Sequence, residues 1–155
     1  MIKINVITNN LNWLKYIKNP NKYFDHKIGK LILKDRKLKK NNFFFTLLLS
    51  GNKEIKKLNK KFRKKNKTTD VLSFPFYAKE ELKNKIKNEK EIYLGDIIVN
   101  LNEIKNKKIK KNFQTEFDRL WIHGLIHLFG YDHKYNKDFL KMNQIEKRYF
   151  NFINA

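Results

Sequence analysis

The segment NFFFTLLLS, residues 42–50, constrains the fold more than any other. By its length and its Phe-rich composition this continuous apolar run fits a buried strand better than a helix. A strand apolar along its whole length needs cover on both faces. It therefore belongs inside a sheet, with strands on either side and helices packed over it.

The flanking sequence supplies those neighbours. MIKINVIT alternates Ile2, Ile4 and Val6 with polar residues, the period of a half-buried strand. Behind Pro20, Phe24, Ile28, Leu31 and Ile32 recur at helical spacing and predict a Lys-rich amphipathic helix, although Gly29 weakens it. After Ser50-Gly51, NKEIKKLNKKFRKKN puts Ile55, Leu58 and Phe62 on one helical face and lysines on the others. TTDVLSFPF reads as a strand whose Pro75 marks an edge or an exit from the sheet. The charged, weakly periodic YAKEELKNKIKNEKEIY reads as a surface insertion. IYLGDIIVN resumes strand character, with Gly95-Asp96 marking a bulge or a close backbone approach.

FQTEFDRLWIHGLIHLFG is the strongest helical pattern in the chain. Phe117, Leu120, Trp121, Leu125 and Leu128 form its core stripe, Thr115 and Asp118 match a capping box, and Gly130 supplies the stop. A last helix begins near Asn136 and carries Phe139, Met142, Ile145, Tyr149 and Phe152. Strands interleaved with helices predict an α/β (α+β) fold, a mixed sheet of about four strands packed with helices, in one domain over residues 1–155.

Composition narrows the chemistry. The chain has no cysteine, which excludes disulfides, thiolate nucleophiles and cysteine-held metal and fits a reducing, cytoplasmic setting. No membrane is expected, since MIKINVITNN lacks an apolar h-region and no run approaches the roughly eighteen apolar residues of a span. Against 15 Asp and Glu stand 36 Lys and Arg, a net charge of +21 that points to a polyanionic partner such as RNA. An AT-biased genome also enriches Lys, Asn, Ile and Phe, so charge by itself does not separate binding from coding bias.

Three of the four histidines fall within HGLIHLFGYDH, residues 123–133. His123 and His127 are one helical turn apart and share a face, and a left-handed Gly130 lets the chain fold back to bring His133 to the same point. Three nitrogen donors with a fourth position open make a catalytic metal site, not a closed structural one. A single histidine on an apolar helix is usually a satisfied core residue, but three at this spacing are not a coincidence. His26 stands alone and reads as a surface residue. Asp132 fits either an acceptor for a ligand histidine or a turn residue. The same ligand spacing occurs in metzincin peptidases, whose general base is a Glu in the second motif position, where this chain has Gly124.

HGLIHLFGYDH resembles the H-G-x-L-H-L-x-G-Y-D-H signature of the YbeY family of bacterial endoribonucleases, with Ile126 in place of its usual Leu. LNKKFRKKNKTTDVLSFPF (58–76) resembles that family's L-N-x-x-x-R and T-D-V-L-S-F-P-F block, and LGDIIVN (94–100) its L-G-D-I strand. The resemblance implies a metal-dependent endoribonuclease preferring single strands. It implies a role in ribosomal RNA maturation, notably at the 3′ end of 16S rRNA, and in late ribosome quality control. It further implies one Zn2+ or other divalent ion held by His123, His127 and His133, a functional arginine at Arg63, and RNA and ribosomal particles as partners, with no DNA expected. A guanidinium at Arg63 suits bidentate binding of a phosphate, a geometry that lysine does not offer. A ribosome assembly factor with a structural metal is the alternative, and a metallopeptidase a more distant one.

Overall fold

The structure is a computed structural model describing residues 1–155. Its regular elements are β1 (Ile2–Thr8), α1 (Pro20–Lys34), β2 (Asn42–Ser50), α2 (Asn52–Arg63), β3 (Val71–Pro75), α3 (Lys79–Asn88), β4 (Glu91–Asn100), α4 (Lys110–Leu128) and α5 (Asn136–Asn154), with short 3-10 turns between some of them. The mixed α+β architecture is the expected one. The four strands lie in the order β1-β2-β4-β3; β1, β2 and β4 are parallel, and β3 runs antiparallel to β4 along the edge. Pro75 ends that edge strand, where its missing N–H costs no ladder bond.

β2 is central, as its apolar run predicts, but only one of its faces is fully buried. Phe43, Phe45, Leu47 and Leu49 point into a core of thirty buried residues shared with α1, α4 and α5. Phe44, Thr46 and Leu48 are half-buried on the other face. That second face is covered only by α2, through a small cluster of Ile55, Leu72 and Ile98. A run apolar on both sides thus sits in a sheet whose second layer is a single short helix. β4 pairs with β2 across a bulge: Tyr93 faces Phe44 and Gly95 faces Phe45, so Leu94 is the extra residue.

Three sequence expectations are corrected. The charged segment after Tyr77 is not an insertion but α3, which buries Leu82 and packs Ile86 one turn later against the core. Its Glu80 and Glu81 lie in the first turn and Lys85 and Lys87 in the last, the charge order that suits the helix dipole. The capping box at Thr115 is also absent, because α4 starts at Lys110 and Asp118 is wholly buried within it. Asp118 Oδ1 accepts hydrogen bonds from Tyr23 Oη and Trp121 Nε1, and Oδ2 accepts one from Lys27 Nζ at 3.0 Å. A buried carboxylate needs such partners; Tyr23 and Lys27 tie α1 to α4, while Trp121 lies one turn along α4 itself. Finally, Phe62 and Phe139 are exposed, not core.

Trp13, in a segment that carries no regular pattern, is completely buried against Phe113 and Phe117, and its indole N–H donates to Ser50 O. α5 docks through Met142, Ile145, Tyr149 and Ile153, and Tyr149 Oη donates to Asp35 Oδ2 at 2.8 Å. No helix is long and apolar enough to cross a membrane.

Candidate metal centre

Two neighbours fix the histidines on α4. His123 Nδ1 lies 2.5 Å from Glu146 Oε1 on α5, and His127 Nδ1 lies 2.9 Å from the Tyr131 carbonyl oxygen in the turn after α4. An ionised carboxylate and a carbonyl can only accept, so both rings donate from Nδ1 and leave Nε2 with a free lone pair. The two Nε2 atoms face each other, 3.0 Å apart. Tyr131 can reach back because Gly130 takes φ +93°, a conformation that opposes any side chain. Its turn also brings in His133, the most exposed of the three.

One ligand atom from each of His123, His127 and His133 lies within 4.8 Å of the others. Bonds of about 2.0–2.1 Å place two nitrogens on one tetrahedral ion roughly 3.3 Å apart, so this donor set fits a single divalent cation. Burial, and then the neighbouring His123, push the His127 imidazole below its ordinary pKa. It is therefore neutral, the form that ligates, at physiological pH.

Asp132 does not touch a ligand ring. Its Oδ1 accepts from the backbone N–H of His133 at 2.7 Å, the turn role. His26 is exposed on α1, as expected of a surface residue. Glu146 carries no local signal in the sequence, because its contact with His123 joins two helices 23 residues apart.

The histidines form one wall of an open cavity of about 670 Å³. Arg63 at the end of α2, Phe62 beside it, Ser73 and Phe74 on β3, Lys79 opening α3 and Asp132 next to His133 are among its other lining residues. The structure thus brings Arg63 to the same cavity as the histidines, from 60 residues away. Asn59 fixes the approach: its buried Nδ2 donates to Lys67 O, and its backbone carbonyl oxygen accepts from the Lys65 N–H as Lys64 turns left-handed. Phe62 is 58% exposed and packs at 5.3 Å against Phe74, which leaves much of its ring facing solvent.

At Gly124 a Cβ would lie 2.8 Å from Ile97 Cγ2, so α4 sits directly on β4. No side chain fits there, which leaves the peptidase's glutamate without a place.

Comparison with known proteins follows the same lines. The model of the family described as Endoribonuclease YbeY matches residues 8–154. A curated Endoribonuclease YbeY from Pelagibacter ubique (strain HTCC1062) is 44% identical over 156 aligned residues, covering 99% of this chain and 97% of that protein. Another, from Thermodesulfovibrio yellowstonii, is 33% identical over 80% of this chain and 73% of its own length. The solution structure of TM1509 from Thermotoga maritima superposes with a TM-score of 0.58 at 26% identity, over 99% of this chain and 89% of that one. With its signature histidines converged and nearly its whole length matched, the chain belongs to the Endoribonuclease YbeY family.

Proposed function

We propose that this protein is a metal-dependent endoribonuclease that cuts single-stranded RNA in the cavity between α2, β3 and the C-terminal end of α4. The observation that carries the reading is the convergence of His123, His127, His133 and Arg63 on that one cavity. His123, His127 and His133 would hold the ion, with zinc favoured by three nitrogen donors. When bound, a divalent cation supplies Lewis-acid polarisation of a phosphate oxygen and activation of water.

The chain's own residues do the rest. The Arg63 guanidinium binds the scissile phosphate through two parallel hydrogen bonds and stabilises the charge that develops on its oxygens. Lys79, against Gly130 in the lining of the same cavity, adds positive charge for the neighbouring phosphate. Phe62 and Phe74 offer a face on which an unpaired base can stack, a contact closed to a base inside a duplex. Glu146 and the Tyr131 carbonyl hold two of the ligand rings in the tautomer the ion requires. The family resemblance supports ribosomal RNA as the substrate, with maturation of the 16S 3′ end and ribosome quality control as its setting, in the cytoplasm.

The test is cleavage of a ribosomal RNA fragment, single-stranded or annealed to its complement. Wild type cuts the single strand preferentially, Arg63→Ala loses about 100-fold or more in kcat/KM, and Arg63→Lys recovers only part of it. Equal cleavage by wild type and Arg63→Ala would remove Arg63 from the mechanism. Cleavage of casein instead of RNA would revive the peptidase.

A further inference from the structure

A strongly basic cavity lies apart from the one that holds the histidines. The larger of the two, at about 750 Å³, it opens where the N-terminal end of α4 meets the start of α1. Six of its twelve lining residues are lysines: Lys15, Lys18, Lys22, Lys107, Lys108 and Lys110. None is acidic. Basic residues are 36 of 155 in the whole chain, so this concentration is about twice what composition alone would place there. The 15 acidic residues are not drawn into it, and none of the six lysines has an ion-pair partner within 4 Å.

The lysines are interleaved with aromatics. Tyr16 is half-buried and stacks at 4.9 Å and 20° between planes on Phe113, which is buried, so Tyr16 is the ring of the pair with surface to offer. Lysines without acidic partners, of which Lys107 alone is tied to a carbonyl (Leu101 O, 3.1 Å), beside a partly exposed aromatic ring are a combination by which proteins hold single-stranded nucleic acid without reading its sequence. A protein anion or a small acid would explain the charge, but not the half-exposed Tyr16 ring among the lysines.

The cavity also has a defined relation to the candidate metal centre. α4 carries Lys110 at its first position and His123 thirteen residues on, about 20 Å away along the helix axis. We infer that this lysine cavity is a second RNA-binding site, gripping the sugar-phosphate backbone of the strand whose scissile bond lies at the histidines. The inference rests on the nuclease reading for where the chemistry occurs, but not for the binding itself. Such a site favours long single strands over short ones and lets the cavity at the histidines remain open and weakly binding.

The experiment compares two triple variants of the intact protein. Lys18→Glu/Lys108→Glu/Lys110→Glu reverses charge within the cavity, and Lys3→Glu/Lys90→Glu/Lys147→Glu makes the same net change on exposed lysines outside it. A glutamate at position 110 suits the first turn of α4, so that change does not itself oppose folding. Affinity for a fluorescent single-stranded RNA of about 20 nucleotides is measured against salt, together with cleavage of a strand of about three nucleotides.

The proposal expects the cavity variant to bind the long strand about tenfold or more weakly, while the control changes by less than about threefold. The slope of log affinity against log salt should fall by about two in the cavity variant, since each phosphate neutralised on a single strand contributes about 0.7. Cleavage of the short strand should be unchanged. Equal losses in both variants would show bulk charge and no site, and loss in neither would remove the site. A matching loss of short-strand cleavage would merge this cavity with the histidine one and overturn the proposal as well. A wild type that binds the long strand but cuts no RNA would defeat the nuclease reading, while the comparison of the two variants would still decide the second site.

Discussion

At the scale of single residues, the site depends on groups that hold the ligands as much as on the ligands. Glu146 orients His123 by accepting from Nδ1, and removing such a partner typically weakens a metal site 10- to 100-fold. Glu146→Ala is therefore expected to lower metal affinity in that range, with Glu146→Gln, which keeps an acceptor, in between. Titration with zinc against a competing chelator measures it, and unchanged affinity in both variants would show that the contact does not matter. Gly124 makes a separate prediction. A Cβ there would press on Ile97, so Gly124→Ala overpacks the α4–β4 contact and costs about 1–3 kcal/mol in a denaturant melt. The histidine spacing and Gly130 were legible because each belongs to a local pattern with a physical meaning, whereas Arg63 stood out from the lysines around it only through the family resemblance. Glu146 and the Asn59 brace were not, because they act across elements and look like ordinary polar residues in a polar chain. Phe62 was misread for a related reason: helical period assigns a face, but not whether another layer covers it.

At the scale of elements, α5 connects the core to the metal centre, since it carries both Glu146 and the Tyr149 hydroxyl that donates to Asp35. Burial, and then its hydrogen bond to Asp35, push the Tyr149 phenol well above its ordinary pKa, and burial and Asp118 do the same for Tyr23. The folded state thus keeps these protons at pH values where the unfolded chain releases them. Their contribution is fully present below pH of about 10 and is lost as pH rises beyond it. Tyr149→Phe should make the alkaline decline of the melting temperature shallower, at the expense of about 1 kcal/mol near neutrality from the lost hydrogen bond. An unchanged slope would mean that Tyr149 ionises freely. The elements themselves were largely legible in the sequence. α3 was not, because its burial rests on two residues, Leu82 and Ile86, in a stretch otherwise given to solvent. The start of α4 was misplaced because Thr115 and Asp118 resemble a capping box in sequence, whereas burial makes Asp118 a tie to α1.

At the scale of the whole molecule, the hydrophobic core and the candidate metal centre are built from different residues. The thirty-residue core is built from aliphatic and aromatic side chains of the sheet and of α1, α4 and α5, and none of the three histidines belongs to it. Chelation should therefore leave the far-ultraviolet helical signal intact and lower stability only by the linkage term, about 2.7 kcal/mol for an ion present at 100 times its dissociation constant. A protein that unfolds on chelation would have a structural metal, as an assembly factor without catalysis would allow. The overall charge of +21 acts at the same scale, and six lysines of it are gathered in the cavity at the N-terminal end of α4.

The most direct test of the central claim is metal content by mass spectrometry, paired with cleavage of single-stranded ribosomal RNA, on wild type and His123→Ala. Wild type should carry close to one divalent ion per chain and the variant little or none, with RNA cleavage by wild type only and both proteins folded. Cleavage that survives in a metal-free His123→Ala protein would contradict the claim.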